Sequence, residues 1–327
     1  MAATSSTCKH WVVQGQICCR CKSRVDTKDL ARMEEISPFP FPDPDCTHPV
    51  FSRGQCIYCG YFYDIYDYPP TCFNYLNFQL MPEFKNSTKK HKLRIGLGQK
   101  KLHLVLGLEH ILIHAIKLSK ISHDDSRLLL TRDDIFLLPN HNLLVKLQPF
   151  VRDFLSEAKE FFTMHVFTNY GRDRAKKVVS LLDPHMVYFG SRIITGSDTY
   201  YYGGLKSLEL VLAEPRGVIV LDYGPGLWRR QDLPNLVVLS PKYEYEYFVK
   251  ANRSNKKVVD GGFLAKALNF FKSNKVLLEG NREKSSDERE DMTVLLPNLK
   301  ALHELFFNGG YYDVTHVLPH VYHETKE

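Results

Sequence analysis

KKLHLVLGLEHILIHA, residues 100–115, is the stretch whose reading decides the fold. Leu102 to Leu106 form a short apolar run, interrupted only by His103, as in a strand buried on both faces of a parallel sheet. The run ends at Gly107 and passes into mixed residues. Open α/β folds bind their ligands just beyond the carboxyl ends of such strands. A reactive side chain is therefore expected at position 107, and glycine has none to offer.

Reading outward from this run, strands and helices alternate. PFVRDFLSEAKEFF (149–162) has helical spacing with Pro149 at its start, and MHVFT (164–168) reads as a strand. RDRAKKVVSLLD (172–183) and GLKSLELVLA (204–213) read as helices, RGVIVLD (216–222) and NLVVLS (235–240) as strands. The order predicts an α/β fold, a parallel sheet with helices on both faces. FLAKALNFFKS (263–273) and NLKALHELFF (298–307) read as amphipathic helices of a helical tail. GNREKSSDERED (280–291) between them is charged and lacks apolar anchors, so it reads as a solvated loop.

The 327 residues are 44% hydrophobic and 24% charged, with net charge +6, which is ordinary for a globular protein. The mild basicity suits acidic partners, but it is weak support for nucleic-acid binding. No basic start with an apolar core marks a signal peptide, and no uncharged run is long enough to span a bilayer, so no membrane partner is expected. Thiols in such a chain are expected to stay reduced, and its eight cysteines to be metal ligands or free thiols.

Cys8, His10, Cys18 and Cys21 are spaced C-x-H-x7-C-x2-C, and Cys46, His48, Cys56 and Cys59 repeat that spacing. Zinc takes four thiolate or imidazole donors in a tetrahedron, and a C-x2-C turn aims two sulfurs at one ion. Two copies with the same spacing predict two structural zinc modules within residues 1–62, leaving Cys19 and Cys72 over. SPFPFPDPD (37–45) between them is a stiff proline linker. Residues 63–97 read as an aromatic, then basic, linker. Its tyrosines and phenylalanines suit a packing seam better than a stacking surface for bases or peptides.

The opening stretch resembles the first motif, D-x-D-x-T after an apolar strand, of the phosphatases that act on the C-terminal repeat domain of RNA polymerase II. These belong to the haloacid dehalogenase superfamily. The resemblance continues through VKLQPFVRDFLSEAKEFFTMHVFTNYGRDRAKKVVSLLDP (145–184), VYFGSRIIT (187–195), KSLELVL (206–212) and GVIVLDYGPGLW (217–228). The C-x-H…C-x-x-C segment also resembles the region preceding the domain in relatives, plant forms included. The resemblance implies a three-layer, central-sheet domain over 98–250, preceded by the small Cys/His segment and followed by a helical extension over 251–327.

In this family the first Asp is the covalent nucleophile, the second the general acid and base, and the Thr helps hold phosphate. A strand-end Thr or Ser and a later Lys contact phosphate, and an acidic pair helps hold Mg2+. Carried over residue by residue, the nucleophile position is Gly107, the acid/base position Glu109 and the Thr position Ile111. Thr168 and Lys206 match the phosphate contacts. Asp222 matches the first metal carboxylate, Tyr223 replaces the second, and Gln148 stands where relatives carry Arg. Glycine can form no acyl phosphate and isoleucine offers no hydroxyl. Magnesium also loses a hard oxygen ligand.

The losses fall on the reactive groups while the strand and helix text is kept. The expectation is a catalytically impaired, nuclear or nucleo-cytoplasmic phosphatase-like protein. Its expected partners are a phosphorylated or unphosphorylated serine-rich peptide, such as the polymerase repeat, or transcription proteins. The competing readings are a weak Mg2+-dependent phosphatase working through Glu109, and an adaptor whose working part is the zinc pair.

Overall fold

The structure is a computed structural model. It describes residues 78–239, 242–259 and 292–322, together with 46, 48–52, 54–59, 61–62, 73–75 and the short pieces 13–14, 17–18 and 24. The helix expected at 263–273 and the charged loop at 280–291 lie outside the described residues.

Before the α/β domain come a two-stranded hairpin, β1 (Val13–Gln14) with β2 (Ile17–Cys18), and a four-stranded antiparallel sheet. That sheet contains β3 (Val50–Ser52), β4 (Gln55–Cys56), β5 (Phe73–Tyr75) and β6 (Phe78–Leu80) in the order β4-β3-β6-β5. Helix α1 (Pro82–Gly98) follows, with Pro82 in its first turn. The stretch expected as a linker over 63–97 thus carries two strands and a 17-residue helix. Its helical pattern is hard to see because Lys85, Thr88 and Lys89 are buried among its inward residues. The two lysines are held there by Glu209.

The domain is built on five parallel strands in the order β12-β11-β7-β13-β14. These are β7 (Leu102–Gly107), β11 (Phe162–Phe167), β12 (Ile193–Ile194), β13 (Val218–Asp222) and β14 (Leu236–Val238). All four strands expected from the sequence are present. A small antiparallel sheet follows β7: β8 (Ile113–Lys117), β9 (Ile135–Leu138) and β10 (Leu143–Leu147), with β10 in the middle and α2 (His123–Leu129) between β8 and β9.

Side chains alternate across the central sheet as a buried parallel sheet requires. Leu104, Leu106, Met164, Val166, Ile219 and Leu221 face one layer. That layer holds α3 (Val151–Ala158), α4 (Arg172–Leu182), α6 (Met292–Asn308) and α7 (Val314–Tyr322). Val105, Phe167, Val218 and Val220 face the other layer, against Leu208, Leu210, Val211 and Trp228. Most of that second layer is irregular. The helix expected over 204–213 is a single 3-10 turn, Leu208–Val211. Ser207 caps it by accepting from the Glu209 N–H, and Leu212 leaves it at φ 52°. Lys206 is tied into a bridge with Trp228 instead: its N–H donates to Leu227 O at 2.8 Å and its carbonyl accepts from Arg229 N at 3.0 Å.

The last described helix before the tail is α5 (Glu246–Val259), whose Phe248 packs under β8 and β10. Among the described residues, no helix is long and apolar enough to cross a membrane.

Candidate functional site

Register places the sequence-derived positions together. Gly107 pairs with Phe167, and Leu106 with Leu221, so Gly107, Thr168 and Asp222 lie at the carboxyl ends of three adjacent parallel strands. This is where an open α/β sheet keeps its ligand. The turn after Gly107 is fixed by backbone bonds from Leu112 N and Ile113 N to Leu108 O, at 3.0 and 3.1 Å. Ile111 is buried within it.

Asp222 and Lys206 are 0% and 3% exposed and form an ion pair of 2.6 Å. The same Asp222 Oδ2 accepts from Trp228 Nε1 at 2.9 Å, and Oδ1 accepts from the Tyr223 N–H at 2.8 Å. Phe167 and Trp228, packed edge to face, both lie beside the ammonium, with ring centroids 5.6 and 5.8 Å from Nζ. A buried carboxylate is tolerated only when paired and hydrogen-bonded, and this one is satisfied by three donors from its own chain.

The space beside Gly107 is already taken. A Cβ built there falls 2.8 Å from Asp222 Oδ1 and 3.1 Å from Ile111 Cγ1, inside ordinary van der Waals contact. Magnesium asks for hard oxygen donors in an octahedron. Position 107 supplies no side-chain oxygen, and both oxygens of Asp222 already serve other donors. The donor set does not fit the ion.

Around this pair, Thr168 Oγ1 accepts from the Tyr170 N–H at 3.1 Å. Burial, and then the neighbouring Glu109 carboxylate, raises the Tyr170 hydroxyl above its ordinary value, so it stays protonated and bonds to Glu109. Gln148 Oε1 is buried without a hydrogen-bond partner. The domain positions picked out from the sequence therefore meet in one place: Lys206 and Asp222 are spent on each other, Thr168 and Glu109 on Tyr170, and Gln148 Oε1 is left without a partner. Sequence reasoning missed Trp228 and Tyr170. The GPGLW segment carrying Trp228 was visible, but nothing in it announced an indole N–H aimed at a carboxylate.

The second Cys/His set assembles in space. Cys46 and Cys56 sulfurs are 3.7 Å apart, and His48 Nδ1 is 3.1 Å from Cys59 Sγ and 3.9 Å from Cys46 Sγ. All four donor atoms lie within 4.8 Å of one another. Tetrahedral zinc with bonds of about 2.3 Å to sulfur and about 2.0 Å to nitrogen needs donor spacings of about 3.5–3.8 Å, so the set fits. Burial pushes the Cys56 thiol up to about 12. A zinc ion would reverse that preference. Of the first set, Cys18 ends β2, whereas Cys8, His10 and Cys21 lie outside the described residues. The cluster sits on its own small core of Val50, Phe51, Ile57, Tyr58 and Leu80, which packs onto Leu212 and Phe84.

A further group is absent from the sequence reading. His110, His114 and Glu244 bring their donor atoms within 4.8 Å of one another beside the Gly107 turn. Burial, and then His110, pushes the His114 imidazole down to about 4.

Residues 102–258 match the family model described as "NLI interacting factor-like phosphatase". The chain is 28% identical over 301 residues to "RNA polymerase II C-terminal domain phosphatase-like 4" of Arabidopsis thaliana, covering 88% of this chain and 62% of that protein. It is 26% identical over 258 residues to an RNA polymerase II C-terminal domain phosphatase of Encephalitozoon cuniculi, covering 76% of this chain and 59% of that protein. The chain thus spans about three fifths of the length of these two relatives. A solved structure of Fcp1, titled an essential RNA polymerase II CTD phosphatase, aligns with TM-score 0.50 at 19% identity. It covers 71% of this chain and 73% of that one, a likeness of fold. The α/β fold read from the sequence is thus matched by a solved structure, and residues 102–258 of this chain match the NLI interacting factor-like phosphatase family model.

Proposed function

We propose that this chain is a phosphatase-like protein that keeps the recognition fold and has lost the chemistry. It engages a serine-rich peptide of the RNA polymerase II repeat type, or a transcription protein presenting one, without hydrolysing phosphate. Its working place would then be the nucleus. The second Cys/His set, with zinc bound, holds the N-terminal sheet against the domain.

The observation that carries this reading is Gly107, with Asp222 closed into the space a side chain there would need. A covalent phosphoryl transfer requires an oxygen nucleophile at that point, and removing a nucleophile costs on the order of 10^6-fold in well-studied hydrolases. Ile111 adds no hydroxyl. The charge of Lys206 is matched by Asp222 at 2.6 Å, so a phosphate reaching Lys206 or Thr168 has to displace a carboxylate already held by three donors. Phosphorylation of the peptide therefore contributes little to its binding.

The test is phosphate release from an aryl phosphate and from a phosphoserine repeat peptide with Mg2+. Wild type is expected at the rate of the buffer. Gly107→Asp/Glu109→Asp/Ile111→Thr is expected to exceed it at least tenfold once Asp222 turns away. Turnover by wild type above buffer, abolished by Glu109→Gln, would instead establish a weak enzyme that works through Glu109.

A further inference from the structure

His110 lies in the turn that follows Gly107, His114 in β8 just after it, and Glu244 in the segment between β14 and α5. Three backbone bonds tie these pieces together. Tyr243 N donates to His110 O at 2.8 Å, His110 N donates to Ile113 O at 2.7 Å, and Leu239 N donates to Asp222 O at 3.0 Å. His110 is held at φ 65°, a conformation that a non-glycine residue keeps only when its surroundings impose it.

The residues flanking Glu244 are stitched to the two imidazoles. His110 Nδ1 donates to Tyr243 O at 3.0 Å, and His114 Nδ1 accepts from the Tyr245 N–H at 2.8 Å. A ring that donates through one nitrogen to a backbone carbonyl presents the lone pair of the other, the usual second contact of a metal-bound histidine. His110 is thus preset as a ligand through Nε2. Glu244 Oε1 is held by Lys242 Nζ at 2.9 Å on a half-exposed rim, a weak pair that a divalent cation can outbid.

We propose that His110, His114 and Glu244 form a metal centre separate from the cysteine sites, taking a zinc-class divalent ion through two imidazoles and a carboxylate. Imidazole with carboxylate suits a transition ion and not magnesium. Three protein donors leave the fourth tetrahedral position to water or to an anionic group. The donor atoms span up to 4.8 Å, so the side chains draw in when the ion enters. His114 must also change tautomer. With Nδ1 accepting from Tyr245, its proton sits on Nε2, and binding through Nε2 moves the proton to Nδ1 and breaks the Tyr245 bond. That exchange is itself a signature.

The experiment uses the full chain loaded with only the zinc its cysteine sites take up, one equivalent per site, so that the weaker His/Glu set stays empty. Cobalt(II) is then added and followed by calorimetry and visible absorption. The expected result is one further equivalent with no sulfur-to-cobalt charge transfer, accompanied by loss of hydrogen-exchange protection at the Tyr245 amide. His110→Asn, chosen because asparagine tolerates a positive φ, and Glu244→Gln should each weaken that uptake about tenfold or more. Thermal unfolding of the zinc-loaded variants should match wild type. No uptake beyond the cysteine sites, or equal uptake by wild type and both variants, overturns the centre. Either result leaves the phosphatase reading untouched, because that reading is scored by phosphate release.

Discussion

At the scale of single residues, Asp222 and Trp228 decide what the strand ends can do. The carboxylate is fully buried and is held by an ammonium, an indole N–H and a backbone N–H. Trp228→Phe keeps most of the packing in the second layer and removes one donor. The expected cost is about 1–3 kcal/mol, read as a lower urea midpoint with unchanged slope. Lys206→Met leaves Asp222 charged and short of its counter-ion. It should cost about 3–5 kcal/mol at neutral pH, whereas Lys206→Met/Asp222→Leu recovers much of that loss. If Lys206→Met instead proved neutral in urea titration, the pair would not be the closed unit described above. The glycine at 107 could be read from the sequence alone. The carboxylate folded over it could not, because Asp222 lies more than a hundred residues along the chain and only sheet register brings the two together.

Among the elements, β7 and β11 bring the side chains of His103 and His165 together, with Nδ1 and Nε2 3.1 Å apart and both rings buried. Burial, and then the nearby cations Lys92 and Arg192, pushes His103 down to about 3. Burial, and then His103, lowers His165 well below its ordinary value. The folded state binds fewer protons at these rings than the unfolded chain does. The stability they contribute is therefore present above pH 6.5 and is lost as pH falls below it, by at most about 1.4 kcal/mol per pH unit for each histidine. Urea midpoints measured from pH 8 to pH 5 should fall steadily below 6.5, and His103→Gln/His165→Gln should flatten that slope. Helix α3 offers a plainer test. Phe154 is 2% exposed in the main core, so Phe154→Ala should cost about 3–5 kcal/mol by denaturant titration. Four of the five strands of the central sheet and helices α3, α4 and α6 were legible because their apolar spacing is regular, whereas β12, two residues long, was not. The 3-10 turn at Leu208–Val211 was misread as a helix. Its residues repeat like a helix face, yet they face the sheet only because Lys206 and Ser207 are anchored elsewhere.

For the whole molecule, the small N-terminal sheet that carries Cys46, His48, Cys56 and Cys59 packs onto the α/β domain through Leu212, Met81 and Phe84. The sheet's own core is a handful of residues, too few to stand without a staple. Metal supplies much of the folding energy of such modules, about 10–16 kcal/mol in isolated zinc fingers. A strong chelator should therefore collapse the near-ultraviolet dichroism of the tyrosines around the cluster. The far-ultraviolet signal of the central sheet should persist to its own, higher midpoint. Cys59→Ser should reproduce the chelator's effect without chelator. A single cooperative loss of both signals would mean that the two parts do not unfold separately.

By itself the sequence determined the parallel sheet, the spacing of the Cys/His donors and the glycine at the end of β7. Each is written in local text: apolar runs, fixed intervals, and a glycine where the strand ends. Tertiary structure decided how the polar residues were used. Lys206 and Asp222 are spent on each other, Glu109 is bonded to Tyr170, and His110 and His114 are gathered to Glu244. The physical reason is that a side chain's chemistry depends on what shares its desolvated space. Parallel register and chain crossovers set those neighbours across separations that no local pattern encodes.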